Sequence, residues 1–175
     1  MSAPARVLWF GLAALVLVSD QATKLFAERA LMVHTPVEVA PVVSFTLTYN
    51  PGIAFSFLGD AGGGQRWLLT GIGIVAVVLV ARWLWHLTGA FERALPAALS
   101  LVLGGAGGNV VDRVRIGAVV DFIDLHWRQY HWYVFNLADA AITVGAALLV
   151  WSSFFGRGLG GSSVSGRRDE QETDR

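Results

Sequence analysis

Asn136 and Asp139 interrupt an otherwise apolar run, VFNLADAAITVGAALLV, from Val134 to Val150. They are three residues apart, so on a helix they share a face. A carboxylate at the edge of a hydrocarbon slab is costly, and by default it marks a functional site. Just ahead of that run, VVDFIDL carries Asp121 and Asp124. Two carboxylates that converge push their pKa values apart, one holding a proton while the other stays charged. Such a pair can activate a water and protonate a leaving amine without a metal or a covalent intermediate. Asp139 with Asp121 would form it, and Asp124 competes for the second place.

Other polar residues occur in apolar surroundings. Asp20 and Lys24 are four apart and share a helix face. They read as a local ion pair at a helix end, with a Lys24 that snorkels to lipid headgroups as the alternative. In GGAGGNVVDR, Asn109 lies three before Asp112 and four before Arg113. The glycines Gly104, Gly105, Gly107 and Gly108 read as close helix packing, and Asp112 as a local partner of Arg113 or of nearby groups. Asn50 and Gly52 mark a turn. With four antiparallel spans, Asp20, Asn50, Asn109, Arg113, Asp121, Asn136 and Asp139 fall at one membrane surface. The second apolar segment and the opposite helix ends lack such residues.

Competing chemistries find less support. There is no HExxH motif. His126 and His131 lie among aromatics and read as interfacial hydrogen-bonding groups, and His34 and His86 are isolated. No metal or other cofactor is therefore expected. The chain has no Cys, which removes thiol nucleophiles and disulfides. Lys24 is the only Lys and Ser19 is near it, but no Ser sits in a nucleophile turn. A proton relay or ion site in a small transporter remains as a non-enzyme reading. Clustering at one surface rather than at the midplane, in a chain short for two inverted repeats, weighs against it.

Four elements must position these groups. The chain has 175 residues, 54% hydrophobic and 15% charged, with a mean hydropathy of +0.55. A soluble domain carries about 25% charge, so the composition points to an integral membrane protein. Formal net charge is zero, which offers no electrostatic case for nucleic acid. Apolar segments near Val7 to Ala27, Trp67 to Leu87, Ala94 to Val111 and Val134 to Phe155 each approach the roughly 20 residues a spanning helix needs. The first is expected to be a retained span rather than a cleaved leader, because no small-residue cleavage site follows it. Lys and Arg divide seven against six between the two sides, a weak bias, and both termini are expected on the cytoplasmic side.

The long loop from Glu28 to Arg66 contains VEVAPVVSFTLTYN, which reads as short strands, with Phe55 to Leu58 as an extension. GDAGGGQR reads as a flexible connector, and the short TGAFER link makes spans two and three antiparallel neighbours. AVVDFIDL reads as a strand, and Trp127, Tyr130, Trp132 and Tyr133 as belt aromatics at the water boundary. Residues 1–156 are expected to form the membrane domain and 157–175 a disordered polar tail.

Four stretches in order, DQATK (Asp20 to Lys24), NPGIAF (Asn50 to Phe55), GNVVDRVRIGAVVDF (Gly108 to Phe122) and FNLADAAI (Phe135 to Ile142), resemble the lipoprotein signal peptidases, or signal peptidase II family. The resemblance implies four transmembrane helices with a small extracytoplasmic β-sheet cradle. It implies an aspartic endopeptidase of the bacterial inner membrane that removes signal peptides from diacylglyceryl-modified prolipoproteins, with its active site facing outside. Asp121 and Asp139 would be the catalytic pair. Asp20, Lys24, Asn50, Gly52, Asn109, Arg113 and Asn136 would support the pair or the substrate. The expected partners are the prolipoprotein, membrane lipid and the inhibitor globomycin.

Overall fold

The computed structural model describes residues 2–52, 64–87, 93–127 and 130–155. Its elements are α1 (Ala3–Ala30), β1 (Val37–Ala40), β2 (Val43–Asn50), α2 (Gly64–His86), α3 (Ala94–Ile116), β3 (Val119–Trp127), β4 (Tyr130–His131) and α4 (Leu137–Phe155). All four helices are long and apolar enough to cross a membrane. The expected extension at Phe55 to Leu58, most of the GDAGGGQR connector, the link at 88–92 and the tail from 156 lie outside the described residues.

α3 is the central helix and packs against α1, α2 and α4. More than half of its apolar stretch is buried, whereas only a small share of each of the other three is. Val7, Leu15, Val75, Val78, Leu79 and Val144 face outward, a distribution that suits hydrocarbon and not water. Small residues allow the close approach at the centre. A Cβ on Gly105 would lie 2.5 Å from the Ala138 carbonyl oxygen, and one on Gly104 the same distance from that of Ala13. Towards the chain termini, Ala13, Leu84, Leu87, Leu99 and Leu103 close the bundle with an apolar cluster.

The strands form one antiparallel sheet in the order β1-β2-β3-β4. Val120 and Phe122 pack with Leu47 and with Ala27 at the end of α1, which seats the sheet on the bundle. The register sets Thr48 opposite Asp121 and Asn50 opposite Val119. Asn50 is therefore a diagonal neighbour of Asp121 on one sheet face.

Several helix boundaries differ from the hydropathy pattern, three of them with consequences for the site. α1 continues to Ala30 and includes Glu28. α3 continues past its apolar run to Ile116, so Asp112 and Arg113 are helical. Its end is stopped by Gly117 in the left-handed region (φ 81°) and clamped by Arg66, which donates to the carbonyls of Arg113 and Val114 at 2.9 and 2.7 Å. Carbonyls left open at a helix end need such donors. α4 begins at Leu137, not Val134, because Phe135 is drawn into a bridge with Ile123 of β3. Hydropathy does not distinguish an apolar strand residue from an apolar helix residue.

Candidate active site

The late start of α4 makes Asn136 its N-terminal cap. Asn136 Oδ1 accepts the Asp139 N–H at 2.9 Å, the bond a capping side chain makes to the third helical residue. The same amide donates from Nδ2 to Asp121 Oδ1 at 2.6 Å and to the Val120 carbonyl at 3.2 Å. One buried side chain thus holds both carboxylate-bearing residues. Asp139 falls in the first turn of α4 and is half-buried, whereas Asp121 is only 1% exposed.

Each carboxylate also accepts a bond from a further asparagine. Asn109 of α3 donates to Asp139 Oδ1 at 2.8 Å, and its own oxygen accepts Lys24 Nζ at 3.0 Å. The ammonium fixes which end of the amide faces Asp139, since Lys only donates. Asn50 donates to Asp121 Oδ2 at 3.1 Å while its oxygen accepts the Gly52 N–H at 2.9 Å. Gly52 has φ 99°, a conformation that favours glycine. Arg113 is half-buried, donates to the Asn109 carbonyl at 3.3 Å, and its charge acts on Asp139, Asp121 and Asp112. Burial first, and then the Asp139 charge, push the Asp121 carboxyl up to about 6, against the lowering effect of Asn50, Asn136 and Lys24.

Beneath this layer lies a buried ionic knot. Lys24 Nζ is 2.9 Å from Asp20 Oδ2 and 2.8 Å from Asp112 Oδ2, and all three side chains are buried. Asp20 Oδ1 accepts the Ala138 N–H at 2.9 Å, which ties α1 to the first turn of α4. Asp112 also accepts the Val120 N–H at 3.2 Å, which ties α3 to β3. The Asp20–Lys24 pair is therefore part of a four-element junction of α1, α3, α4 and β3. The snorkelling alternative fails because the ammonium has three acceptors inside the protein. Asp112 takes its ion pair with Lys24 rather than with the adjacent Arg113.

The residues proposed from the sequence for the site gather at this end of the bundle, but Asp124 accepts from Thr46 at 3.3 Å while Asp121 receives the amides of Asn50 and Asn136. His126 lies 3.0 Å from Ser44 Oγ through its Nε2. Among the described residues no group of three or more His, Asp or Glu side chains could hold a metal ion. Gln21 escaped the sequence reading. It donates to Asp20 at 3.2 Å, to the Gly108 carbonyl at 3.1 Å and to Asp112 at 3.1 Å. A Gln within an apolar span was its signal, but the four-residue spacing of Asp20 and Lys24 drew attention to a different face. Arg66 was also missed as the clamp on α3.

Comparison with known proteins places the chain in a family. The family model described as Signal peptidase (SPase) II matches residues 12–155. A lipoprotein signal peptidase of Pseudomonas putida is 50% identical over 151 residues, 85% of this chain and 88% of that protein. One of Teredinibacter turnerae is 47% identical over 153 residues, 87% of this chain and 90% of that one. A solved structure described as a bacterial membrane enzyme superposes with a TM-score of 0.74 at 27% identity, covering 87% of this chain and 94% of that one. With the match spanning all four helices and the sheet, the chain belongs to the signal peptidase II family of membrane peptidases.

Proposed function

We propose that this chain removes signal peptides from diacylglyceryl-modified prolipoproteins by two-aspartate water activation at the outer face of the bacterial inner membrane. The observation that carries the reading is the Asn136 bridge, in which one amide donates to Asp121 and accepts from the backbone of Asp139. It sits in a chain whose family members are peptidases.

In this reading the pair shares one proton and titrates as a unit. The ionised carboxylate takes a proton from a water as the water oxygen attacks the scissile carbonyl. The protonated partner donates to the carbonyl oxygen, and a proton then passes to the leaving amine as the C–N bond breaks. Asn109, Asn136 and Asn50 hold the carboxylates through neutral donors, so the site gains orientation without an added charge. Arg113 faces the pair and is suited to offset its negative charge or to hold a substrate carbonyl. Asp139, in the first turn of its helix, would meet a bond just outside the hydrocarbon, while the substrate's acyl chains remain in lipid.

The test is cleavage of a diacylglyceryl-modified prolipoprotein by wild type, Asp121→Asn and Asp139→Asn, each with and without a chelator. The expected result is activity in wild type alone, indifferent to chelation, with both variants folded. Turnover by a folded Asp139→Asn variant, or loss of wild-type activity on chelation, would sink the two-aspartate assignment.

A further inference from the structure

The first turn of α2 gives no side chain to the carboxylate pair, yet it grips the turn that does. Gln65 is half-buried and donates from Nε2 to the Gly52 carbonyl at 3.0 Å and to the Pro51 carbonyl at 3.3 Å. The Gly52 N–H in turn donates to Asn50 Oδ1. That bond points the Asn50 oxygen at its own backbone and leaves its nitrogen for Asp121. Three links therefore run from α2 to a carboxylate. The fit between helix and turn is tight, because a Cβ on Gly52 would collide with Leu69 and come within 3.3 Å of Gln65 Nε2. A primary amide suits the place, since its two N–H groups match two carbonyls. A carboxylate of the same shape would offer neither.

We infer that Gln65 is a positioning residue for the hydrolytic reaction, locking the Pro51–Gly52 turn that aims Asn50 at Asp121. The inference rests on the two-aspartate reading. Besides Asn50, the groups acting on Asp121 are Asp139 and Asn136 at the start of α4 and Lys24 from α1, with Arg113 from α3. All of them remain when Gln65 is changed, so an altered titration of the pair would report on Asn50. Losing the Asn50 donor removes support for the charged form of Asp121, so its pKa rises further. The doubly ionised, inactive pair then appears at higher pH.

The experiment is the pH dependence of prolipoprotein cleavage by the full chain, for wild type, Gln65→Ala, Gln65→Glu, Asn50→Ala, the Gln65→Ala/Asn50→Ala double variant and Asp121→Asn. In Gln65→Ala the alkaline limb of kcat/KM is expected to move up by about half a pH unit, with kcat falling about threefold and KM changing less. Gln65→Glu should behave like Gln65→Ala, and Asn50→Ala should shift the limb further in the same direction. The double variant should match Asn50→Ala, because residues acting in series are not additive. A limb that stays put while only Tm falls, or losses in kcat that add in full, would overturn the inference. Cleavage by Asp121→Asn would remove the two-aspartate reading instead, and the kcat cycle between Gln65 and Asn50 would still decide whether the two act in series.

Discussion

Asp121 carries a conflict that its neighbours only partly relieve. Burial and the Asp139 charge raise its carboxyl from the usual 3.8 to about 6, although Asn50 and Asn136 both donate to it. Between those values the folded protein binds more protons than the unfolded chain. Stability therefore falls as pH rises through this window and stays low above it. An Asn at this position has no such titration. Asp121→Asn should raise stability by about 1 to 2 kcal/mol near pH 8, less than the full effect of the shift because one donor of the new amide faces another donor. Near pH 4 the gain should vanish. Thermal melting of both proteins in detergent at the two pH values checks this, and an equal difference at both would remove Asp121 as the source. The same titration predicts that kcat/KM of the free enzyme declines above about pH 6 as the pair loses its shared proton. The limb of kcat should lie higher, since bound substrate displaces water from the carboxylates.

Elements meet the site through two devices, a buried ionic knot and a set of missing Cβ atoms. Lys24 holds Asp20 and Asp112 together, and those two hold the first turn of α4 and the start of β3 through the Ala138 and Val120 N–H groups. Lys24→Met leaves two buried carboxylates facing each other, which should cost about 3 to 5 kcal/mol. Adding Asp20→Asn and Asp112→Asn should recover most of that in a melting or proteolysis series, and failure to recover would mean that the knot is not the source. Gly105→Ala tests the second device. Its new methyl meets the Ala138 carbonyl, one residue before Asp139, so kcat should fall with a stability loss of about 1 to 3 kcal/mol. Gly71→Ala is the control, because nothing lies within 4 Å of its Cβ position, and it should be neutral or slightly stabilising. Equal effects of the two would remove the close-contact argument. The sequence displays these devices unevenly. Four helices, the β1–β2 pair and the β3 strand are visible as apolar runs and alternation, and Asn136 with Asp139 is visible as a helical spacing. The knot is not, because Lys24 and Asp112 are 88 residues apart and their pairing depends on packing. The start of α4 is hidden for a similar reason, since only the sheet shows that Phe135 belongs to a bridge.

At the scale of the whole molecule, the question is which way this asymmetric bundle faces. Exposed Trp127, Tyr130, Trp132 and Tyr133 stand at the site end, and exposed Trp83, Trp85 and Trp151 at the other, as in the two aromatic belts of a spanning protein. A 23-residue helix such as α3 covers about 34 Å between them, enough for the hydrocarbon core. The Lys/Arg count is nearly even for a structural reason. Lys24 is buried in the knot, Arg66 clamps α3, Arg113 faces the carboxylates, and Arg115 pairs with Glu28 at 2.8 Å. These cations are at the site end to serve the fold, so their number is a poor guide to orientation. At the opposite end Arg6 instead lies over the Trp85 ring, 5.2 Å from its centroid. Discounting the engaged cations leaves the excess at the terminal end, so the positive-inside rule predicts that the termini face the cytoplasm. The absence of Cys makes a direct test simple. Thr35→Cys, exposed beside the sheet, should react with a membrane-impermeant maleimide in cells whose outer membrane has been permeabilised. Ser2→Cys, exposed at the other end, should react only after the inner membrane is opened. The reverse pattern would turn the carboxylate pair towards the cytoplasm, away from any substrate processed on the outer face.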